Sequence, residues 1–160
     1  MKAIEYVLGE ICKVILPISE ETFYGNQNSS IAVCTLSSID LLKEISNSDL
    51  LDKVAIVGRL FSENKGIDSM IRYVNSNQNI KNIILCGKEV WGHKTGHSLM
   101  ELYENGLDSN GRIINSSSPD PLLEVSQNDV NNFRNQVTII DKIGETKLVY
   151  IKQLIDSIKS

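Results

Sequence analysis

His93 stands in the run Cys86-Gly87-Lys88-Glu89-Val90-Trp91-Gly92-His93-Lys94-Thr95-Gly96, directly after the apolar stretch Ile83-Ile84-Leu85. An imidazole is a good donor to a transition metal at neutral pH, and glycines on either side let a bulky group approach the backbone. A strand ending in a glycine-flanked histidine therefore has the make-up of a ligand loop, although a loop histidine is also an ordinary solvated or capping residue. Glu89, His93 and His97 recur at spacings of four. A continuous helix would stack them on one face as a two-histidine, one-carboxylate centre, the donor set of a mononuclear metal enzyme. Gly92 and Gly96 oppose a helix through all three, and His97 reads more simply as a polar residue in the first turns of the following helix.

Two further loops carry groups suited to binding. The first is Gly58-Arg59-Leu60-Phe61-Ser62-Glu63-Asn64-Lys65-Gly66, which matches neither Gly-x-x-x-x-Gly-Lys-Ser/Thr nor Gly-x-Gly-x-x-Gly. Its Arg59 and Lys65 read either as a grip on anionic or amide groups or as solvated basic residues beside a helix start. The second is the rigid polar turn Ser116-Ser117-Ser118-Pro119-Asp120-Pro121. Cys34 and Cys86 fall at strand ends with no histidine-carboxylate arrangement legible around them, so packing is their expected role. No Gly-x-Ser-x-Gly elbow supports hydrolase chemistry. Trp91, the single tryptophan, either stacks on a flat ligand beside His93 or plugs the loop into the core.

The elements that must hold these loops follow from short β-branched runs: 31–34, 54–57, 83–86, 113–114 and 137–140. Each is almost uniformly apolar, as strands buried on both faces are. Segments of helical period lie between the first four, at Ile39-Leu42-Ile45, Ile67-Ile71-Val74 and Leu99-Leu102-Leu107. The alternation predicts a Rossmann-like, doubly wound α/β domain: a mainly parallel sheet, helices on both faces, and ligand loops at the carboxyl ends of the strands. Residues 1–160 read as one domain, with an N-terminal arm at 1–28 and a C-terminal helix at 147–160 that rests on the rim of the domain or on a partner.

Composition excludes several classes. Sixteen basic against twenty acidic residues, a net charge of -4, argue against nucleic acid as the main ligand. Three widely separated cysteines without a Cys-x-x-Cys pair indicate neither a disulfide framework nor structural zinc, and fit a reducing cytoplasm. Charges within Met1–Pro17 break up any secretory core, and no apolar run approaches the span of a membrane helix.

The runs Ile31-Ala32-Val33-Cys34-Thr35-Leu36, Val57-Gly58-Arg59-Leu60-Phe61-Ser62-Glu63-Asn64-Lys65-Gly66-Ile67-Asp68 and Leu85-Cys86-Gly87-Lys88-Glu89 through Gly92-His93 closely resemble the A subunit of tetrahydromethanopterin S-methyltransferase from methanogenic archaea, over roughly residues 20 to 143. The resemblance implies a carrier of a cobalamin-type corrinoid, with a histidine replacing the nucleotide base as lower axial ligand of cobalt, and His93 is the matching position. It also implies that the cobalt takes a methyl group from methyl-tetrahydromethanopterin and passes it to coenzyme M. Other subunits would catalyse both transfers, and the membrane complex would couple them to sodium export. The residues expected around the corrin are Thr35; Gly58, Arg59, Leu60, Asn64, Lys65 and Gly66; Gly87, Lys88, Glu89, Gly92 and His93; and Ser118 with Pro119. A cofactor-free interaction module of a methyltransferase is the other class of reading.

Flavodoxin-like corrinoid carriers use Asp-x-His-x-x-Gly, whose carboxylate orients the imidazole. This chain keeps His93-x-x-Gly96 but has Trp91 in the aspartate's place, so His93 is expected to lean on backbone and to be more easily released or protonated. His97 stands where the family pattern implies glutamine, and its imidazole is the alternative cobalt ligand, with His93 the favoured one. The complete family protein ends in a membrane-spanning helix that is missing here, so the expectation is a soluble domain or a free-standing homologue.

Overall fold

Every residue of Ile31–Cys34 is buried in the computed structural model of the chain, which describes residues 21–158. That is the environment an unbroken apolar run requires. The described elements are β1 Thr22–Tyr24, β2 Ile31–Cys34, α1 Ile39–Ser46, a 3-10 turn Asp49–Lys53, β3 Ile56–Gly58 and α2 Lys65–Ser76, followed by β4 Asn82–Gly87, α3 Thr95–Asn105, α4 Gln127–Gln136, β5 Thr138–Ile143 and α5 Leu148–Ser157. They build a five-stranded sheet ordered β1-β3-β2-β4-β5. Pairing is parallel between β2 and β3, β2 and β4, and β4 and β5; only the edge strand β1 runs antiparallel, on β3.

Alternation along the strands sorts the core into two layers, because successive side chains leave opposite faces of a sheet. Ala32, Cys34, Ile83, Leu85 and Ile139 meet Ile67 and Ile71 of α2, Leu99 and Leu102 of α3, and Val130 and Phe133 of α4. Ile31, Val33, Val57, Ile84 and Cys86 meet Leu41, Leu42 and Ile45 of α1, Leu50 of the 3-10 turn, and Ile151 and Ile155 of α5. The result is an α/β sheet covered by helices on both faces. The chain leaves β2 for β3 on one flank and then crosses back over β2 to β4 on the other. A crevice opens at such a reversal beyond the carboxyl ends of the strands, and it is where ligands of open α/β sheets bind.

Several expected elements lie elsewhere. Ile113-Ile114 is not a sheet strand: Ile113 makes one isolated antiparallel bridge to Leu107, and its N–H goes to the Pro121 carbonyl. The pair is apolar because Ile113 is buried against the α2–α3–α4 face, a demand that a loop can meet as well as a strand. The run at 54–57 starts its pairing only at Ile56, and the third helix closes at Asn105 with Gly106 as its cap, leaving Leu107 outside. Of the N-terminal arm, Thr22–Tyr24 is an edge strand; its first twenty positions lie outside the described residues. The C-terminal helix docks Ile151 and Ile155 on the chain's own sheet and leaves Val149 and Tyr150 exposed. No described helix is long and apolar enough to cross a membrane.

Helix α4 has the sequence Gln-Asn-Asp-Val-Asn-Asn-Phe-Arg-Asn-Gln, with only Val130 and Phe133 buried. It forms because Ser126 and Asp129 make a reciprocal capping box at its start, which satisfies amide groups that a helix end leaves open. Phe133 then anchors it, with none of its side chain exposed. Phe133→Ala is expected to cost about 3–5 kcal/mol, read as a lowered urea midpoint with an unchanged slope. A loss under about 1 kcal/mol would mean that α4 is an ornament on the surface and not part of the core.

Candidate functional site

The two loops singled out by their composition lie side by side beyond β3 and β4. They are tied together through the end of β2. Thr35 is buried there, and its N–H donates to the Gly58 carbonyl at 2.9 Å. On the other side its carbonyl lies so near Gly87 that a Cβ at that position would come within 2.0 Å of it, and Gly87 has φ +78°. Both facts require glycine. The next residue, Leu36, is fully buried at φ 48°, a left-handed conformation that costs a branched side chain energy and that only firm surroundings maintain. Ser37 and Ser38 complete the seam: the Ser37 hydroxyl donates to the Lys88 carbonyl at 2.8 Å, and the Ser38 hydroxyl accepts the Lys88 N–H at 2.9 Å.

On this seam sits His93, delivered by a turn at Gly92 with φ +82°. Its ring is buried, 8% exposed, and its Nδ1 lies 2.7 Å from Oε2 of Glu63, whose side chain is 1% exposed. The expectation that no carboxylate supports this histidine is thereby corrected. The aspartate two residues upstream is indeed replaced by Trp91, but a glutamate from the loop after β3, thirty positions earlier, reaches the same ring nitrogen. Burial pushes the Glu63 carboxyl up; hydrogen bonds from the His93 ring and from the backbone N–H groups of Glu63 and Asp120 outweigh it, and the carboxyl stands below the ordinary glutamate range. An ionised carboxylate only accepts, so Nδ1 carries the proton. In the neutral imidazole the lone pair then belongs to Nε2, the arrangement that metal-ligating histidines favour.

Glu63 has a second duty. Its Oε1 accepts the Asp120 N–H at 3.0 Å, so one carboxylate holds both the histidine and the turn that contains Ser118 and Pro119. Asn64 fastens the same turn, its amide donating to the Asp120 carbonyl at 3.2 Å and carboxylate at 3.0 Å, while its oxygen accepts the Lys65 N–H at the start of α2. Ser118 is fully buried, and its hydroxyl meets that of Ser98 at 2.6 Å and donates to the Lys94 carbonyl at 3.1 Å.

The rival three-residue metal centre is not assembled. Glu89 turns its oxygens onto the N–H groups of Val90, Gly96 and His97, all at 2.8 Å, where a carboxylate satisfies the open amides of a helix start and complements its dipole. The helix begins at Thr95, after Lys94 in a left-handed conformation, so Glu89, His93 and His97 share no helical face. His97 points away to the Ser117 N–H. Among the described residues no group of three or more histidine, cysteine or acidic side chains is placed to hold a metal ion, which leaves the single-histidine donor.

Other expected site residues take distinct places. Arg59 is half-buried and does not stand at a helix start: its guanidinium donates to the Ser37 carbonyl at 2.9 Å and lies over the Phe61 ring at 4.0 Å. Leu60 is buried, as are Gly66 and Gly92; Lys65 and Lys88 are exposed. Trp91 is 71% exposed, which rules out its plugging the core. Cys86 is buried and its thiol is pushed up by burial first, then by Cys34 and Glu145, so it is no nucleophile. A mostly apolar cavity of about 260 Å³ lies apart from His93, between the sheet and α2, lined by Cys34, Ile56, Met70 and Tyr73 among others.

Because its carboxyl is depressed in the folded chain, Glu63 stabilises the fold above the ordinary glutamate range and stops doing so as pH falls through its lowered value. The urea midpoint of the native chain is therefore expected to fall as pH drops below the ordinary glutamate range. Glu63→Gln should start lower at neutral pH and decline less steeply. Parallel declines in the two proteins would show that this carboxylate does not carry the acid sensitivity.

The whole of 15–160 matches the family model of the A subunit of tetrahydromethanopterin S-methyltransferase. The chain is 39% identical over 136 residues to the A subunit of the methyltransferase Mtx of Methanosarcina barkeri, covering 84% of this chain and 65% of that protein. It is 35% identical over 141 residues to the corresponding Mtx protein of Methanosarcina acetivorans, covering 88% and 68%. With the tetrahydromethanopterin S-methyltransferase A subunit of Methanocaldococcus jannaschii it shares 36% over 140 residues, 86% of this chain and 56% of that one. It thus spans about two thirds of the length of the Mtx proteins and just over half of the Methanocaldococcus protein. On the match over nearly its full length, this chain belongs to the family of the tetrahydromethanopterin S-methyltransferase A subunits.

Proposed function

We propose that the chain is a corrinoid carrier, holding a methyl group on the cobalt of a cobalamin-type cofactor during transfer from methyl-tetrahydromethanopterin to coenzyme M, with His93 as lower axial ligand. The observation that carries this reading is the buried His93–Glu63 pair at 2.7 Å, set at the carboxyl ends of the strands where the sheet reverses its order. The donor set suits the group. One neutral imidazole, its outer nitrogen engaged by a carboxylate, is what a metal that takes a single protein nitrogen requires. A bound corrinoid supplies a cobalt centre able to take up and give up a methyl group.

The chain's own residues do the rest. Glu63 orients the ring and sustains its basicity, while Gly87 lets the Thr35 carbonyl pack against the loop and Gly92 makes the turn that presents the ring. In this reading loops 58–66 and 87–94 and the Ser118-Pro119 turn, whose Leu60, Gly66, Gly92 and Ser118 are buried as the chain stands, form the corrin's surroundings, and the exposed indole of Trp91 adds a flat apolar edge. The Nε2 atom is buried, so these loops part for the ligand to reach it. Binding and release of His93 would bias them between two positions, a means of signalling the methylation state to a partner. The catalysts of the two transfers, in this reading, are other subunits of a methyltransferase on the cytoplasmic face of a membrane, in a complex that exports sodium.

The test is anaerobic reconstitution with cobalamin and electron paramagnetic resonance of the cobalt(II) state, using protein labelled with nitrogen-15 histidine. The axial nitrogen splitting is expected to change from a triplet to a doublet on labelling in the native chain and in His97→Ala, and to show no label effect in His93→Ala. A label effect lost only in His97→Ala would assign the other histidine. Failure of the native chain to retain corrinoid would turn the reading to a cofactor-free interaction module.

A further inference from the structure

The serine turn beside the site is neither helix nor strand, and a single ring holds its middle residue. The N–H of Ser117 donates to Nε2 of His97 at 3.1 Å. Its neighbours are held through hydroxyls, with Ser98 meeting both Ser116 and Ser118 at 2.6 Å. We propose that His97 is a positioning residue: in its neutral form it latches the serine turn onto α3, and protonation opens the latch. A backbone N–H can only donate, so Nε2 must present its lone pair and the ring proton resides on Nδ1, the side on which Glu101 lies at 3.9 Å. A second proton sets N–H against N–H.

The charged groups around the ring are Glu101 on α3 and Glu89, whose carboxylate accepts the His97 N–H. Lys94 precedes the helix, and Asp120 of the serine turn is engaged by Asn64. His97 is thus a fixing point for one wall of the site and not a competitor for cobalt. Its consequence for the cofactor rests on the carrier reading. The turn that His97 holds also places the Asp120 N–H on Glu63, so opening it loosens the carboxylate that orients His93.

The latch can be judged without corrinoid. The chain has two histidines, so nuclear magnetic resonance follows each ring's titration separately while amide exchange at Ser117 is measured in the full chain. Protection at Ser117, corrected for the intrinsic rate, is expected to drop about tenfold as the His97 ring protonates. His97→Gln, whose side-chain oxygen accepts the same N–H, should keep its protection at every pH. His97→Ala should lack it throughout while Phe133 stays protected, showing an intact fold. Protection that follows the His93 ring, follows neither ring, or survives in His97→Ala would overturn the proposal. Retention of hydroxocobalamin is then compared at about pH 6 and 7.5: native protein should retain less at the lower pH and His97→Gln equal amounts at both. If no variant retains it, the carrier reading fails while the Ser117 result still decides the latch.

Discussion

A carboxylate taken out of water needs its charge answered by hydrogen-bond donors, and Glu63 imposes that need at the centre of the molecule's loop end. One oxygen is answered by the His93 ring, the other by the Asp120 backbone. These donors come from segments far apart in sequence, so the loop after β3, the loop after β4 and the serine-proline turn must all be in place together. The supporting features serve this meeting: glycine at 87 beneath the Thr35 carbonyl, the left-handed Leu36, and the amide of Asn64 on Asp120.

A second carboxylate divides the labour. Glu89 spends both of its oxygens on amides around the start of α3, which fixes the helix directly behind His93 and so the angle at which the loop returns to it. Side by side, the two glutamates explain why a motif dense in acidic and imidazole groups does not collapse into a multidentate metal centre: one acid is committed to a helix end and the other to a single ring. What remains is one imidazole held by one carboxylate, with the Arg59 guanidinium over Phe61 and Trp91 turned outward.

Much of this is legible in the residues alone. The apolar runs locate β2 and β4 and their helices because burial on both faces leaves little choice of side chain, and His93 stands out by the glycines that flank it. Ile113-Ile114 misleads because a buried loop demands apolar residues as a strand does. Helix α4 escapes notice because Val130 and Phe133 are too few to mark a period, although the Ser126-x-x-Asp129 start is a local signal. The partner of His93 is beyond the reach of pattern: Glu63 lies within a loop whose composition marks it for binding, but its pairing across thirty positions depends on how the sheet brings the two loops together, and no local sequence carries that. The same is true of His97, whose identity suggests a ligand and whose position makes it a latch.

The central claim is that a histidine held by Glu63 is the protein ligand of a corrinoid cobalt, and the most direct measurement is a crystal structure of the chain with cobalamin bound. The account predicts His93 Nε2 at bonding distance from cobalt, with the Glu63 carboxylate on Nδ1 and the corrin lying against the loops after β3 and β4. Cobalt bonded to His97 or to the cofactor's own base, or a corrin seated away from these loops, would contradict it.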